Sequence, residues 1–525
     1  MEVFMPAIEH VFVLMLENRS FDHMLGFSGI TGTDAANGQH TQINGLSGAE
    51  TNDWNGVSYS VGHPAVDPMT VDPYHEFPDV LEQLCGPGAT YPPGGPYPAI
   101  HNNGFVSNFA DAAKSPSPGD VMKCFTSQQL PILSALGKEF AVCDSWFCSL
   151  PGPTFPNRFF ALGGSSADLD HSPTTTETVI WQTTDGFKFQ NGSIFDKSKG
   201  LQNFLRPFFS FRRKFTSRIY AGNKLFTLAH ALKGIHLSDI TRYSRFARDV
   251  SDRAYSAQFT WIEPNYGHVT TDYVGGNSQH PLDGVTGGEA LVKATYEAIR
   301  SSPLWDSSML IITWDEHGGF FDHVAPPAAI PPGDKAQFNS ANKNGFVFNQ
   351  YGPRVPGIVI SPLIPRNTID HRDYDHTSIL ATVERLFGLQ PLTERDRGAR
   401  DLRPLASLSS PRPDAPTSVA LRADLESVDR AILLDTLQTP IPPATRQNDP
   451  IESEGDDPIK CDRNLPGFLY VAARADAEIP PPGIAAANHA AGVGKRVGAI
   501  RTRGQARDYF EEVRRKILAV ESETE

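Results

Sequence analysis

An α/β fold, a mostly parallel sheet covered by helices, is the architecture this sequence predicts, and three observations predict it. Short, nearly continuous apolar runs that stop on polar or turn residues occur at 10–16 (HVFVLML), 307–314 (SSMLIITW) and 355–361 (VPGIVIS), the pattern of parallel strands buried on both faces. Helical periodicities fall between and after these runs. The 44 glycines and 43 prolines among 525 residues imply long, shaped loops between short elements, and loops carry sites.

In chain order, the first run breaks on Glu17 and Asn18, and Arg19, Asp22 and His23 crowd into the next five positions. The stretch 149–164 (SLPGPTFPNRFFALGG) frames Thr154 with Gly152, Pro153 and Pro156, and a helix is expected to open just after it, its free N–H groups available to an anion. Residues 201–215 (LQNFLRPFFSFRRKF) interleave Leu205, Phe208, Phe209, Phe211 and Phe215 with Arg206, Arg212, Arg213 and Lys214. They read either as a subdomain that buries its rings and solvates its bases or as an interfacial loop. Residues 288–300 (GEALVKATYEAIR) read as an amphipathic helix with Leu291, Thr295 and Ala298 on one face and Val292 and Ile299 beside them. The second apolar run delivers Asp315, Glu316 and His317, with Asp322 and His323 a few residues on, and 377–389 (TSILATVERLFGL) reads as a further helix.

Near residue 400 the texture changes. Pro/Ser-rich and then Pro-rich, acidic stretches read as linker or surface wrap, and 506–520 (ARDYFEEVRRKILAV) places Tyr509, Phe510, Val513 and Ile517 at helical spacing. That stripe is expected to dock on the protein, a membrane or partner helix being the sharper alternative. The expected organisation is therefore one large domain over 1–400 with an insertion around 190–250, then a linker and packed C-terminal helices over 401–525. There is no internal repeat.

The net charge of −14 argues against nucleic acid and anionic lipid as general partners, because both need a basic face. Five cysteines with no CxxC pair indicate neither a zinc ribbon nor a disulfide framework; Cys143 and Cys148 read either as a disulfide or, no less readily, as a reduced, buried pair. No run of about 18 apolar residues exists, so no membrane span is expected. Glu2 stands where an export leader carries basic residues. A soluble, cytoplasmic protein is the expectation as written, and a secreted or periplasmic one if a leader was removed.

Open α/β sheets place ligands beyond the carboxyl ends of their strands. Two of the expected strands end there in hard oxygen ligands: Glu17 and Asn18 on one, Asp315 and Glu316 on the other. Acids brought together need a counter-ion, and a divalent metal is the natural one. A single such acid reads as a helix cap or an arginine partner; two motifs on separate strands favour the metal. Thr154 is the candidate nucleophile, since a coordinated metal favours its alkoxide. Among 16 histidines, His75, His280, His317, His323 and His376 lie in conspicuous local contexts.

Taken together, ENRSFDH, GPTFPNR, the HP at 280–281, SPLWDSSMLIITWDEHGGFFDHV, GPRVPGIVISP and DHTSIL strongly resemble the bacterial-type phosphoesterase family, which contains phosphatidylcholine-type phospholipases C and an acid phosphatase. The resemblance spans about residues 8–390 in the family's order. It implies an alkaline-phosphatase-like core and one divalent metal, with calcium, manganese, iron and zinc all open. Carried over by residue, it implies Glu17, Asn18, Asp315 and Glu316 as metal ligands and Thr154 as a nucleophile that also touches the metal. His75 and His280 become phosphoryl contacts, either able to protonate the leaving group, and Asn18 adds a further substrate contact. His317, His323 and His376 are implied to support these groups from behind. The reaction implied is hydrolysis of a phosphate ester, phospholipase C-type cleavage of a phosphodiester such as phosphatidylcholine through a phosphothreonine intermediate. Phospholipid at a membrane surface is the partner that goes with it. An acid-phosphatase-like phosphomonoesterase is the alternative, and a non-catalytic metal- or lipid-binding relative a remote one.

Overall fold

The computed structural model describes residues 8–174, 177–178, 186–200, 214–270, 273–335, 341–420, 459 and 464–522. Among them ten strands form one sheet, numbered here in chain order: β1 His10–Leu16, β2 Thr31–Asp34, β3 His40–Gln42, β4 Ala141–Cys143, β5 Ser217–Ala221, β6 Ile240–Arg242, β7 Phe259–Glu263, β8 Ser308–Trp314, β9 Gly357–Ile360 and β10 Thr368–Asp370. Across the sheet they run β3-β2-β10-β4-β9-β8-β1-β7-β5-β6. Most neighbours are parallel, as an α/β fold requires; the antiparallel pairs are β3 with β2, β9 with β8 and β9 with β4.

The third apolar run is therefore a strand, but not the parallel one expected. An apolar run buried on both faces carries no sign of direction; the connection sets it. No described helix lies between β8 and β9 to carry the chain back across the sheet, so β9 enters from the edge where β8 leaves and runs the other way.

Helices relevant to the site are α1 Phe21–Leu25, α2 Phe77–Cys85, α3 Pro131–Glu139, α4 Thr154–Gly163, α5 Thr286–Arg300, α6 Thr377–Phe387, α7 Leu465–Ala477, α8 Ala486–Val497 and α9 Arg503–Ser522. In α5 the buried stripe is Leu291, Val292, Thr295, Tyr296 and Ile299; Tyr296 takes the place expected of Ala298, which is half-buried. Glu289 on the same helix is buried and accepts the Ile132 and Leu133 amides at 2.7 and 3.1 Å, placing a carboxylate at the N-terminus of α3. The stripe on α9 is buried, with Phe510 edge-on to Phe226 at 4.9 Å and the Tyr509 hydroxyl donating to Asp476 of α7 at 3.1 Å. Cys85, Cys124, Cys143 and Cys148 are free thiols, so the Cys143–Cys148 pairing does not occur. Cys461, residues 201–213 and the acidic stretch before 459 lie outside the described residues. No helix among the described residues is long and apolar enough to cross a membrane.

Candidate active site

Strands β8, β1 and β7 are parallel neighbours and end at the same edge. Leu16 is in register with Trp314, so Glu17 and Asp315 leave the sheet side by side. The loop after β7 joins them: the Glu17 amide donates to the Ser278 carbonyl at 2.9 Å and Arg19 Nε to the Gln279 carbonyl at 2.8 Å. Asn18 sits at φ +57°, a left-handed conformation asparagine tolerates, which turns its N–H onto Asp315 Oδ1 at 3.0 Å. Opposite it Gly318, at φ +67°, passes so close that a Cβ there would lie 2.1 Å from the Asn18 carbonyl oxygen.

Glu17, Asp315 and Glu316 are all fully buried. Asp315 spends all but one of its lone pairs: Oδ1 accepts the Asn18 and Glu316 amides, and Oδ2 accepts Arg158 Nε at 2.9 Å. Arg158 lies one turn beyond Thr154 on α4 and also bonds the Leu16 carbonyl at 3.0 Å. Glu316 Oε2 accepts the Gly318 amide at 2.7 Å. Glu17 Oε1 and Oε2, Asn18 Oδ1 and Glu316 Oε1 are buried without a hydrogen-bond partner. Burial, reinforced by the Asp315 charge, pushes Glu17 well above the usual carboxylate range, and burial raises Asp315 as well despite Arg158. Such orphaned oxygens cost free energy unless something neutralises them. Hard oxygen donors of this kind fit a divalent cation by their chemistry.

His75 enters from the loop before α2. Its ring is fixed by an Nδ1 hydrogen bond to the Pro73 carbonyl at 2.9 Å, leaving Nε2 at 3.2 Å from Asn18 Nδ2 and 3.7 Å from Glu316. Burial lowers its pKa, but the Glu316 and Asp72 charges outweigh that and push it up to about 9. His280 is stacked flat on Tyr273 at 3.6 Å, its Nδ1 accepting the Leu282 amide and its Nε2 lying 3.8 Å from Asp72. Burial lowers it to about 4, so it is neutral. His75 and Tyr273 line one cavity together with Asp72, Leu282, Asn464 and Arg503.

Thr154 is the first residue of α4 and fully buried. Its hydroxyl accepts Asn464 Nδ2 at 3.0 Å, which ties it to that cavity, and Arg158 ties the same helix to Asp315. No hydrogen bond joins the Thr154 side chain to the carboxylates among the described residues. His376 stands behind Asp315, donating from Nε2 to its carbonyl and accepting Trp146 Nε1 at Nδ1. His317 lies between two groups, its Nε2 on Gln83 at 2.8 Å and its Nδ1 3.4 Å from Glu316 Oε2. His323 belongs to another group: Asp22, Asp322 and His323 bring one ligand-type atom each within 4.8 Å of the others. That arrangement and the family are compatible with a divalent ion. In this group, however, Arg354 donates to both Asp22 and Asp322 at 2.8 Å, His323 donates to Asp22 at 2.6 Å, and no Asp22 or Asp322 oxygen is left over. An arginine already holds the place a cation would take.

Arg158 and Asn464 are the site residues that sequence reasoning misses. Arg158 lies inside GPTFPNR at four residues from Thr154, one helical turn, a spacing that pointed to it. Asn464 precedes Leu-Pro at a helix start and reads simply as a cap.

Residues 8–390 match the Phosphoesterase family. The chain is 34% identical to non-specific phospholipase C6 of Arabidopsis thaliana over 80% of its own length and 76% of that protein's. It is 28% identical to phospholipase C B of Mycobacterium tuberculosis over 83% and 85% of the two chains. Among solved structures, a protein of the alkaline phosphatase superfamily from Vibrio parahaemolyticus is similar at a TM-score of 0.29 and 13% identity, over 54% of this chain and 63% of that one.

Proposed function

The chain belongs to the phosphoesterase family and is a phosphoric ester hydrolase, and from that premise we propose that it is a metal-dependent phospholipase C that cleaves a phosphodiester such as phosphatidylcholine through Thr154. The observation that carries the reading is the set of four buried, unpartnered oxygens on Glu17, Asn18 and Glu316, beside a histidine and one helix away from a buried threonine. Those residues, with the lone pair left on Asp315 Oδ2 and the Thr154 hydroxyl, are the ones to hold the ion. Bound there, a divalent cation supplies Lewis acidity to a hydroxyl and offsets phosphoryl charge.

The chain's own groups do the rest. Thr154 Oγ1 bonds to phosphorus as the bond to the diacylglycerol oxygen breaks, its proton passing to water. The departing oxygen is protonated by His75, the histidine that lines the cavity, while His280, which burial keeps neutral, is left as a phosphoryl contact. Water then attacks the phosphothreonine ester, Oγ1 leaves and regains a proton, and the head-group phosphate is released; inversion at each step gives net retention. Asn18 Nδ2 and His75 Nε2, 3.2 Å apart, are the groups this reading assigns to the equatorial oxygens.

The lipid part of the reading is supported by a rim of loops. Residues 86–100 and 324–333 contain no charged side chain in a chain of net charge −14. They are stitched to 345–349 by the Gly94–Gly345 and Ala329–Asn349 backbone bonds, both 2.8 Å. Ile330 and Val347 on these loops are 51% and 36% exposed. Below them Phe77, which follows Glu76 of the cavity, packs with Phe346 and with Phe160 of the Thr154 helix in one cluster. An uncharged apolar rim suits a zwitterionic bilayer.

Thr154→Ala is expected to abolish turnover of phosphatidylcholine vesicles while metal content, read by elemental analysis, stays within twofold of wild type. Undiminished turnover removes the covalent step. A panel of phosphatidylcholine, sphingomyelin, glycerophosphodiesters and phosphomonoesters tests the substrate class, and preference for the monoesters overturns the phospholipase reading.

A further inference from the structure

The match to the family ends at residue 390, yet the only hydrogen bond to the Thr154 side chain among the described residues comes from beyond it. Asn464 is the residue before α7, buried, and of a type that ordinarily caps a helix with its side chain. It does not: no side-chain capping bond is made, and the carboxamide is sent across to Thr154 Oγ1 instead, at 3.0 Å. The amide is held in that orientation, because Asn464 Oδ1 accepts the Ser172 hydroxyl at 3.4 Å, and the Ser172 amide is anchored on Glu76, the neighbour of His75, at 3.0 Å. Asn464 also lines the cavity that His75 lines.

The placement of Asn464 is not an accident of a loose tail. Helix α7 is buried from Leu465 to Asp476, with Phe468 edge-on to Phe155, the residue after Thr154, and the ring of Phe155 so near Gly467 that a Cβ there would meet it at 2.3 Å. The segment is packed against the helix that carries the nucleophile, and its first side chain is aimed at the reacting oxygen.

We propose that the segment after the family region completes the active site, with Asn464 as a catalytic residue whose amide N–H holds and polarises Thr154 Oγ1. The inference rests on the reading of Thr154 as nucleophile. The N–H serves both displacements for one reason: the oxygen it touches gains negative charge as its proton is lost on attack and again when the phosphothreonine bond breaks. A donor aimed at an atom where charge develops is worth about 10²–10³ in kcat. Since the contact is to Thr154 rather than to the parts of the ester that set affinity, KM is expected to stay near wild type.

The test is steady-state kinetics of the full-length, metal-loaded protein on a short-chain phosphatidylcholine, with melting temperatures measured alongside. Asn464→Ala is expected to lower kcat at least about tenfold with little change in KM, and Asn464→Asp, equal in size but without the donor, to lower it at least as far. Because the side chain caps nothing, Asn464→Asp should melt within a few degrees of wild type; should Asn464→Ala fail to fold, the aspartate variant carries the test. Wild-type kcat in a folded Asn464→Asp protein overturns the proposal. Full activity in Thr154→Ala instead overturns the reading beneath it, so the two failures are distinguishable.

Discussion

Glu17, Asp315 and Glu316 lie on the same two loops as Asp22 and Asp322, equally buried, yet the two groups are settled in opposite ways. Around Asp22 and Asp322, the guanidinium of Arg354 spans both carboxylates and reaches the Asn44 and Asp144 carbonyls, and backbone amides and His323 take the remaining lone pairs. Around Glu17, the buried Arg158 is spent on Asp315 and the backbone, and four oxygens stay without a hydrogen bond. Burial of acids is therefore common to both and diagnoses neither. Unspent lone pairs separate a group that is complete as protein from one that, on the reading proposed, is complete only with a cation.

The largest expected effect comes from removing the charge that has no partner. Glu17→Gln should cost about 10³-fold or more in kcat and most of the bound metal. The same change relieves carboxylate repulsion in the metal-free protein, so the chelated variant should melt above chelated wild type. If it melts lower and keeps its metal, the two clusters are not different in kind. Asp322→Asn is the matched control: metal content is retained, because that group holds none on this reading.

Next in size is the loss of the arginine. Arg354→Ala leaves Asp22 and Asp322 buried without their counter-charge, which is expected to cost roughly 3–5 kcal/mol of stability. Urea denaturation of metal-loaded protein checks it. A cost below about 1 kcal/mol, the range of an exposed ion pair, means the cluster does not depend on Arg354.

Both clusters are written in stretches that sequence reasoning singles out, ENRSFD and DEHGGFFDH, and the reasons they were legible are local. β1 and β8 are continuous apolar runs, and where such a run stops on acids the strand end and the acids are read together. Which acids keep free oxygens is not local. Arg158 and Arg354 reach Asp315 and Asp22 across 157 and 332 residues of sequence, and nothing in either motif says which arginine comes. The direction of β9 escaped for the same reason, since it is set by the path between strands rather than by the strand. Asn464 was least legible of all: its sequence context has a complete local explanation as a cap, and only the fold shows the side chain used elsewhere.

The smallest effect belongs to the rim of the satisfied cluster and has a definite sign. Burial lowers the His323 pKa, but its hydrogen bond to Asp22 and the Asp22 and Asp322 charges outweigh this and raise it above 6.5. A histidine bound more tightly as the cation in the folded state contributes stability that is full below about pH 6.5 and is lost as pH rises through the folded-state pKa. Wild type should therefore exceed His323→Gln in melting temperature at pH 6, and the gap should narrow by pH 9. A gap that is constant across that range would mean that His323 contributes only as a neutral hydrogen-bond donor. Asp22 would then be neutralised by Arg354 alone, and the satisfied cluster would owe its balance to a single cation.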